Sequence, residues 1–172
     1  MTMRLRRAMS LLFSLPLLEG DRMIHIQHED FDCGAEIESL HSIGSHIGAV
    51  VSFVGLVREY ADEGQLTAIE LEHYPLMTQK SLEHIAAEAK ARWDVEGIKI
   101  IHRVGRLLPE DRIVFVGVAS RHRGEAFSAC EYVIDLLKTQ APFWKKECFV
   151  SGDQWVEAKH SDVNKSSRWV EE

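Results

Sequence analysis

From Met23 onward the hydrophobic positions switch between a period of two and a period near 3.6, and the switches outline the elements. Ile24–Gln27 alternates and predicts a short strand. Asp32 precedes a helical segment reaching about His41, in which Ile37 and Leu40 lie three apart on one face. Residues Ile47–Val57 (IGAVVSFVGLV) are apolar on both faces, the pattern of a buried central strand. Gly48 and Gly55 interrupt it and hint at a bulge or a close backbone approach. A turn around Gly64 returns the chain through Leu66–Glu72. The stretch HYPLMTQKSLEHIAAEAKARW then places Leu82, Ile85, Ala86, Ala89 and Trp93 on the stripe of a core-facing helix. Thr78 is the expected N-cap, Met77 is expected to staple onto Leu82, and Gly97 closes the segment.

Strands are predicted at Ile98–Val104 and Arg112–Ala119, separated by the turn LLPED. A second long helix runs from near Arg123 to Lys138, with Ala126, Phe127, Cys130, Ile134 and Leu137 on its apolar side. Pro142 forces its end, and Phe143–Val150 with Gln154–Ala158 reads as a hairpin around Ser151-Gly152-Asp153. Neighbouring strands joined by short turns, together with two long packed helices, indicate an α+β fold with a largely antiparallel sheet. A length of 172 residues, 45% of them hydrophobic and 27% charged, suits one domain over residues 23–172 and excludes disordered, collagen-like and coiled-coil chains.

Residues 1–22 stand apart. Arg4, Arg6 and Arg7 precede Met9–Leu18 (MSLLFSLPLL), which looks like a charged segment followed by a signal-type apolar run. The run falls short of the about 20 apolar residues that span a bilayer, and no small-residue cleavage site follows. The segment is read as a disordered extension or the product of an upstream start site, with a targeting peptide as the alternative. Cys33, Cys130 and Cys148 are odd in number and widely spaced, so they are expected to be core thiols in a reducing cytoplasm. Neither a C-x-x-C pair nor an H-E-x-x-H motif points to a metal. The formal charge of −7 argues against a protein that grips nucleic acid, although it leaves room for a local basic site.

Such a site is suggested near the second long helix, where Arg121, His122, Arg123, Lys138, Lys145 and Lys146 gather. The segment S-R-H-R-G-E-A-F sets three of these cations at a strand-to-helix junction, where free N–H groups and the helix dipole favour an anion. A solvated helix start explains the same residues without a ligand. Lys138 at the other end could simply complement the dipole. Lys145 follows Pro142, Phe143 and Trp144, an apolar rim that disfavours an ammonium and suits it to act as acid, base or nucleophile. Arg58 is a third candidate cation. Arg123 and Lys138 lie about 22 Å apart along one helix, too far for one small substrate. Either there are two sites, or one site is shared across a two-fold dimer.

Over about residues 23–169 the chain resembles the large, catalytic subunit of molybdopterin synthase. The resemblance rests on Gly48–Arg58 (GAVVSFVGLVR), Leu71–Thr78 (LEHYPLMT), Ile101–Gly105 (IHRVG), the S-x-H-R-x-x-A-F block at Ser120–Phe127, Asp135–Glu147 (DLLKTQAPFWKKE) and Trp155-Val156-Glu157, in that order and spacing. It implies an α/β hammerhead fold with an additional antiparallel sheet, and a homodimer carrying a small ubiquitin-like subunit at each end. Each small subunit would insert a C-terminal Gly-Gly thiocarboxylate. Two sulfurs would pass to cyclic pyranopterin monophosphate, forming the dithiolene of molybdopterin, with no metal or other cofactor needed. By position, Lys138 and Lys145 match the catalytic lysines. Arg58, His122 and Arg123 match contacts to substrate and phosphate, the last two from the second subunit. Phe53 and Ile134 are expected to line the pocket, if they are not plain core. The other reading is a non-catalytic scaffold that binds a ubiquitin-like tail or a phosphate ligand.

Overall fold

The computed structural model describes residues 23–156 and 166–169. In chain order its elements are β1 (Ile24–Gln27), α1 (Cys33–His41), β2 (Ala49–Leu56), β3 (Tyr60–Ala61), β4 (Gly64–His73) and α2 (Pro75–Arg92). They continue as β5 (Gly97–Arg103), β6 (Gly105–Leu107), β7 (Arg112–Ser120), α3 (Arg123–Gln140), β8 (Phe143–Phe149) and β9 (Gly152–Val156). Residues 1–22, 157–165 and 170–172, on some of which expectations also fell, lie outside the described residues.

Two sheets divide the strands. The first has the order β1-β5-β7-β2, antiparallel except for the β1–β5 pair. Alternation along β5 and β7 sends Ile98, Ile100, Val114, Val116 and Val118 to one face, where they pack with Leu82, Ile85 and Ala89 of α2 and Ala126, Ala129 and Val133 of α3. Ile101, Phe115 and Ala119 point the other way, onto Leu40 of α1 and Phe31. The second sheet has the order β3-β4-β8-β9, with β6 also pairing β4, and Val57, Leu66, Ile69, Leu71 and Leu107 pack together there. The predicted α+β class therefore holds. Among the described residues, no helix is long and apolar enough to cross a membrane.

Several local expectations are met. Asp32 caps α1, its side-chain oxygen accepting the Ala35 N–H at 3.0 Å. A register shift falls at Gly55/Leu56. A Cβ on Gly48 would collide with the Arg121 carbonyl oxygen, so this residue is a close backbone approach.

Others are corrected. β2 lies at an edge of its sheet rather than in the middle, because β7 pairs with β5 on its other side. α2 starts at Pro75 with Tyr74 as N-cap, since proline fits the first helical position. Thr78 is thus inside the helix, where its hydroxyl donates to the Pro142 carbonyl at 3.2 Å, and Met77 is exposed instead of stapling onto Leu82. α2 ends at Arg92, and Gly97 opens β5. Phe127, assigned to the apolar side of α3, is 62% exposed.

Candidate functional site

α3 is one unbroken helix from the end of β7 to the turn before β8. It runs back along the sheet, and the Cys130 thiol donates to the Val116 carbonyl at 3.9 Å, which fixes its level over β7. Counting from that contact, Lys138 in the last turn reaches the Arg112 end of β7. Leu56 of β2 pairs with Arg112, and exposed Arg58 follows just beyond it. Phe143, the first residue of β8, lies flat on His102 with ring centroids 3.8 Å apart, and His102 pairs with Val114 close to the same end. Arg58, Lys138 and the start of the strand carrying Lys145 therefore share one end of the first sheet.

His122 and Arg123 occupy the opposite end. His122 is the N-cap of α3 without a side-chain capping bond, both residues are exposed, and Ser120 beside them pairs with Ala49. The helix holds them about 22 Å from Lys138. One copy of the chain does not bring the five cations together. Phe53 and Ile134 lie between the two ends, half-buried against the cluster beneath α3.

Alternation along β8 decides what Lys145 meets. Its ammonium lies 2.7 Å from an oxygen of Glu147, two residues on and on the same face, and Glu147 is buried. The pattern Lys145-x-Glu147 within a strand, two residues apart on one face, is the sequence signal for this pair. Lys146 faces the other way, 2.7 Å from Glu70 and over the Trp155 ring at 5.4 Å. The hydrogen bond to Glu70 leads the causes that raise its pKa. Lys146 thus belongs to the outer surface.

Two histidines missed in the sequence flank Phe143. Burial pushes His102 down to about 4, although its Nδ1–H donates to the Arg103 carbonyl at 2.8 Å. Burial, and then the charge of His28, also lowers His73, whose Nδ1 is buried without a hydrogen-bond partner. His73 borders an open cleft of about 330 Å³ with Glu72, Tyr74, Trp144 and Trp155, and a second of about 640 Å³ between β1 and α2. Neither is lined by Lys138, Lys145, Arg58, His122 or Arg123. Cys130 is pushed up to about 12 by burial, and burial also raises Cys148, so neither thiol is a ready nucleophile.

The sequence model of the family described as MoaE protein matches residues 26–140, from β1 to the end of α3. The chain belongs to the MoaE family. The molybdopterin synthase catalytic subunit of Ralstonia nicotianae is 52% identical over 146 residues, 85% of this chain and 83% of that one. The subunit of the same name from Pseudomonas aeruginosa is 51% identical over 148 residues, 86% of this chain and 99% of its own length. Among solved structures, the molybdopterin biosynthesis MoaE protein of Burkholderia ambifaria superposes with a TM-score of 0.75 at 51% identity, covering 86% of this chain and 97% of that one. The chain is accordingly an enzyme subunit of MoaE type, and its activity is sulfur transfer in molybdenum cofactor biosynthesis.

Proposed function

We propose that this subunit takes sulfur from the thiocarboxylated Gly-Gly C-terminus of a small ubiquitin-like partner and delivers it to cyclic pyranopterin monophosphate, forming the dithiolene of molybdopterin. The observation that carries the reading is the pair of lysines bracketing the α3–β8 turn, one of them held by the buried carboxylate of Glu147. Both reactants are anions, and negative charge builds on the acyl oxygen during transfer. Fixed cations stabilise that charge without reorganising. Each transfer forms a bond from sulfur to a pterin side-chain carbon, displaces the oxygen that carbon carried (as water at one carbon and as the ring phosphate ester, which opens, at the other), and breaks the acyl carbon–sulfur bond. Water supplies the oxygen that leaves the donor a carboxylate, so two donors are consumed per dithiolene.

Lys138 stabilises the acyl oxyanion or donates a proton to it, and Lys145 holds and activates the pterin. Arg58 contacts the substrate from the same end of the sheet. His122 and Arg123 bind the phosphate from a second copy of the chain, which accounts for the length of α3 between them and Lys138. Phe53 and Ile134 line the approach, and a tail of two glycines suits a channel too narrow for side chains.

The test is a reaction of purified subunit, thiocarboxylated partner and cyclic pterin phosphate, read as dithiolene product. Lys138→Ala is expected to abolish turnover while its melting temperature stays at the wild-type value. Unchanged turnover would remove Lys138 from the mechanism.

A further inference from the structure

β5 carries one residue that its own pattern does not call for. Ile98, Ile100 and His102 alternate onto the face that α2 and α3 cover, so an apolar row ends in an imidazole, and that imidazole is buried. Its Nδ1–H donates to the Arg103 carbonyl at 2.8 Å, which fixes the angle of the ring. The ring lies on Phe143 with centroids 3.8 Å apart and planes 15° apart. His102 lines neither of the two clefts, and burial keeps it uncharged through the neutral range. It is placed neither to touch a reactant nor to lend one its charge.

Phe143 is held from other sides as well. His73, its partner in the β4–β8 register, sets a second imidazole against it, with centroids 6.3 Å apart and planes 28° apart. The Thr78 hydroxyl of α2 donates to the carbonyl of Pro142, the preceding residue, at 3.2 Å. The Phe143 N–H donates to the Ala141 carbonyl at 2.8 Å and closes the turn.

The two lysines stand on either side of this fixed point. Lys138 lies in the last turn of α3, before Phe143, and Lys145 follows it on the same face of β8. Any rotation of the strand at Phe143 therefore swings Lys145 and its Glu147 partner with it. A ring stacked face to face resists that rotation, because the contact survives at only one height and a narrow range of tilt. An isoleucine at position 102 would serve apolar packing equally well. The imidazole adds a flat face whose angle is set by a hydrogen bond from its own edge.

We infer that His102 is a positioning residue for the transfer reaction: through the face of Phe143 it sets the α3–β8 turn, and so the spacing and direction of Lys138 and Lys145. The inference rests on the reading above, in which that pair of lysines does the chemistry.

Dithiolene formation by His102→Leu and Phe143→Leu tests it, with folding checked by circular dichroism. Each variant is expected to lower kcat at least about tenfold. KM for the thiocarboxylated partner is expected to stay within about twofold of wild type, a split that lost stability alone does not produce. Phe143→Tyr keeps the flat ring and is expected to hold kcat within about threefold of wild type. Amide exchange in His102→Leu is expected to speed over residues 138–145 and to stay unchanged in α1 and β2. Wild-type kcat in the folded leucine variants, a raised KM in place of a lowered kcat, or a Phe143→Tyr chain as slow as Phe143→Leu overturns the inference. Should His102→Leu fail to fold, Phe143→Leu against Phe143→Tyr decides, since position 143 is only half-buried. If the wild type forms no dithiolene, the proposed donor and substrate fall, and exchange alone judges His102: faster exchange over residues 138–145 keeps its role, and unchanged exchange there removes it.

Discussion

Lys145 and Glu147 show how much one counter-charge alters the meaning of a basic residue. Lys145→Met leaves the buried Glu147 carboxylate without its partner, and urea unfolding is expected to show a loss of about 1–3 kcal/mol. The double change Lys145→Met with Glu147→Leu removes both charges and is expected to recover most of that stability while remaining inactive, which separates folding from catalysis. His102 provides a second signature. Its pKa in the fold, about 4, is depressed from 6.5, so acid favours the unfolded chain, which takes up the proton first. Unfolding free energy is expected to fall as pH drops from 6.5 towards 4, with up to about 3 kcal/mol of that fall absent in His102→Gln. Buried histidines of this kind are hard to see in a sequence, because nothing in I-H-R-V-G shows that Phe143 will cover the ring.

Most of each helical stripe in α2 and α3 could be read directly, because several residues at 3.6-residue spacing are a redundant signal, although Phe127 is exposed and Trp93 lies just past the end of α2. Their ends could not. Thr78 has the side chain of a cap, but Pro75 starts the helix three residues earlier and the Thr78 hydroxyl donates to the Pro142 carbonyl instead. Thr78→Val is expected to cost about 1 kcal/mol in thermal or urea unfolding, while an exposed neighbour such as Met77→Leu leaves stability unchanged. β6 escaped notice because three residues carry no period. The pattern of β2 was seen correctly but assigned to the wrong place: apolarity on two faces reports that both are covered, and says nothing about whose strand lies alongside.

In the molecule as a whole, residues remote in sequence hold α2 and α3 in place. Trp169 donates its indole N–H to Asp135 at 2.9 Å and meets the rings of Trp93 and Tyr132 edge-on, while Arg168 reaches Asp135 at 2.8 Å and Glu131 at 2.6 Å. Trp169→Ala is expected to lower stability by about 1–3 kcal/mol and to speed amide exchange in α3. The candidate site was legible at this scale only in part. The lysines and the His122-Arg123 junction stood out as motifs, and the length of α3 showed that one chain could not gather them. The i, i+2 spacing of Lys145 and Glu147 hints at their pairing, but the burial of Glu147 and the clefts around His73 emerge only with the fold. Gly48 carries the final consequence. A single methyl group there would shove aside the backbone of Arg121, more than seventy positions downstream and immediately ahead of His122. A substitution that looks trivial on paper would therefore displace, from a distance, the strand-to-helix junction that carries His122 and Arg123.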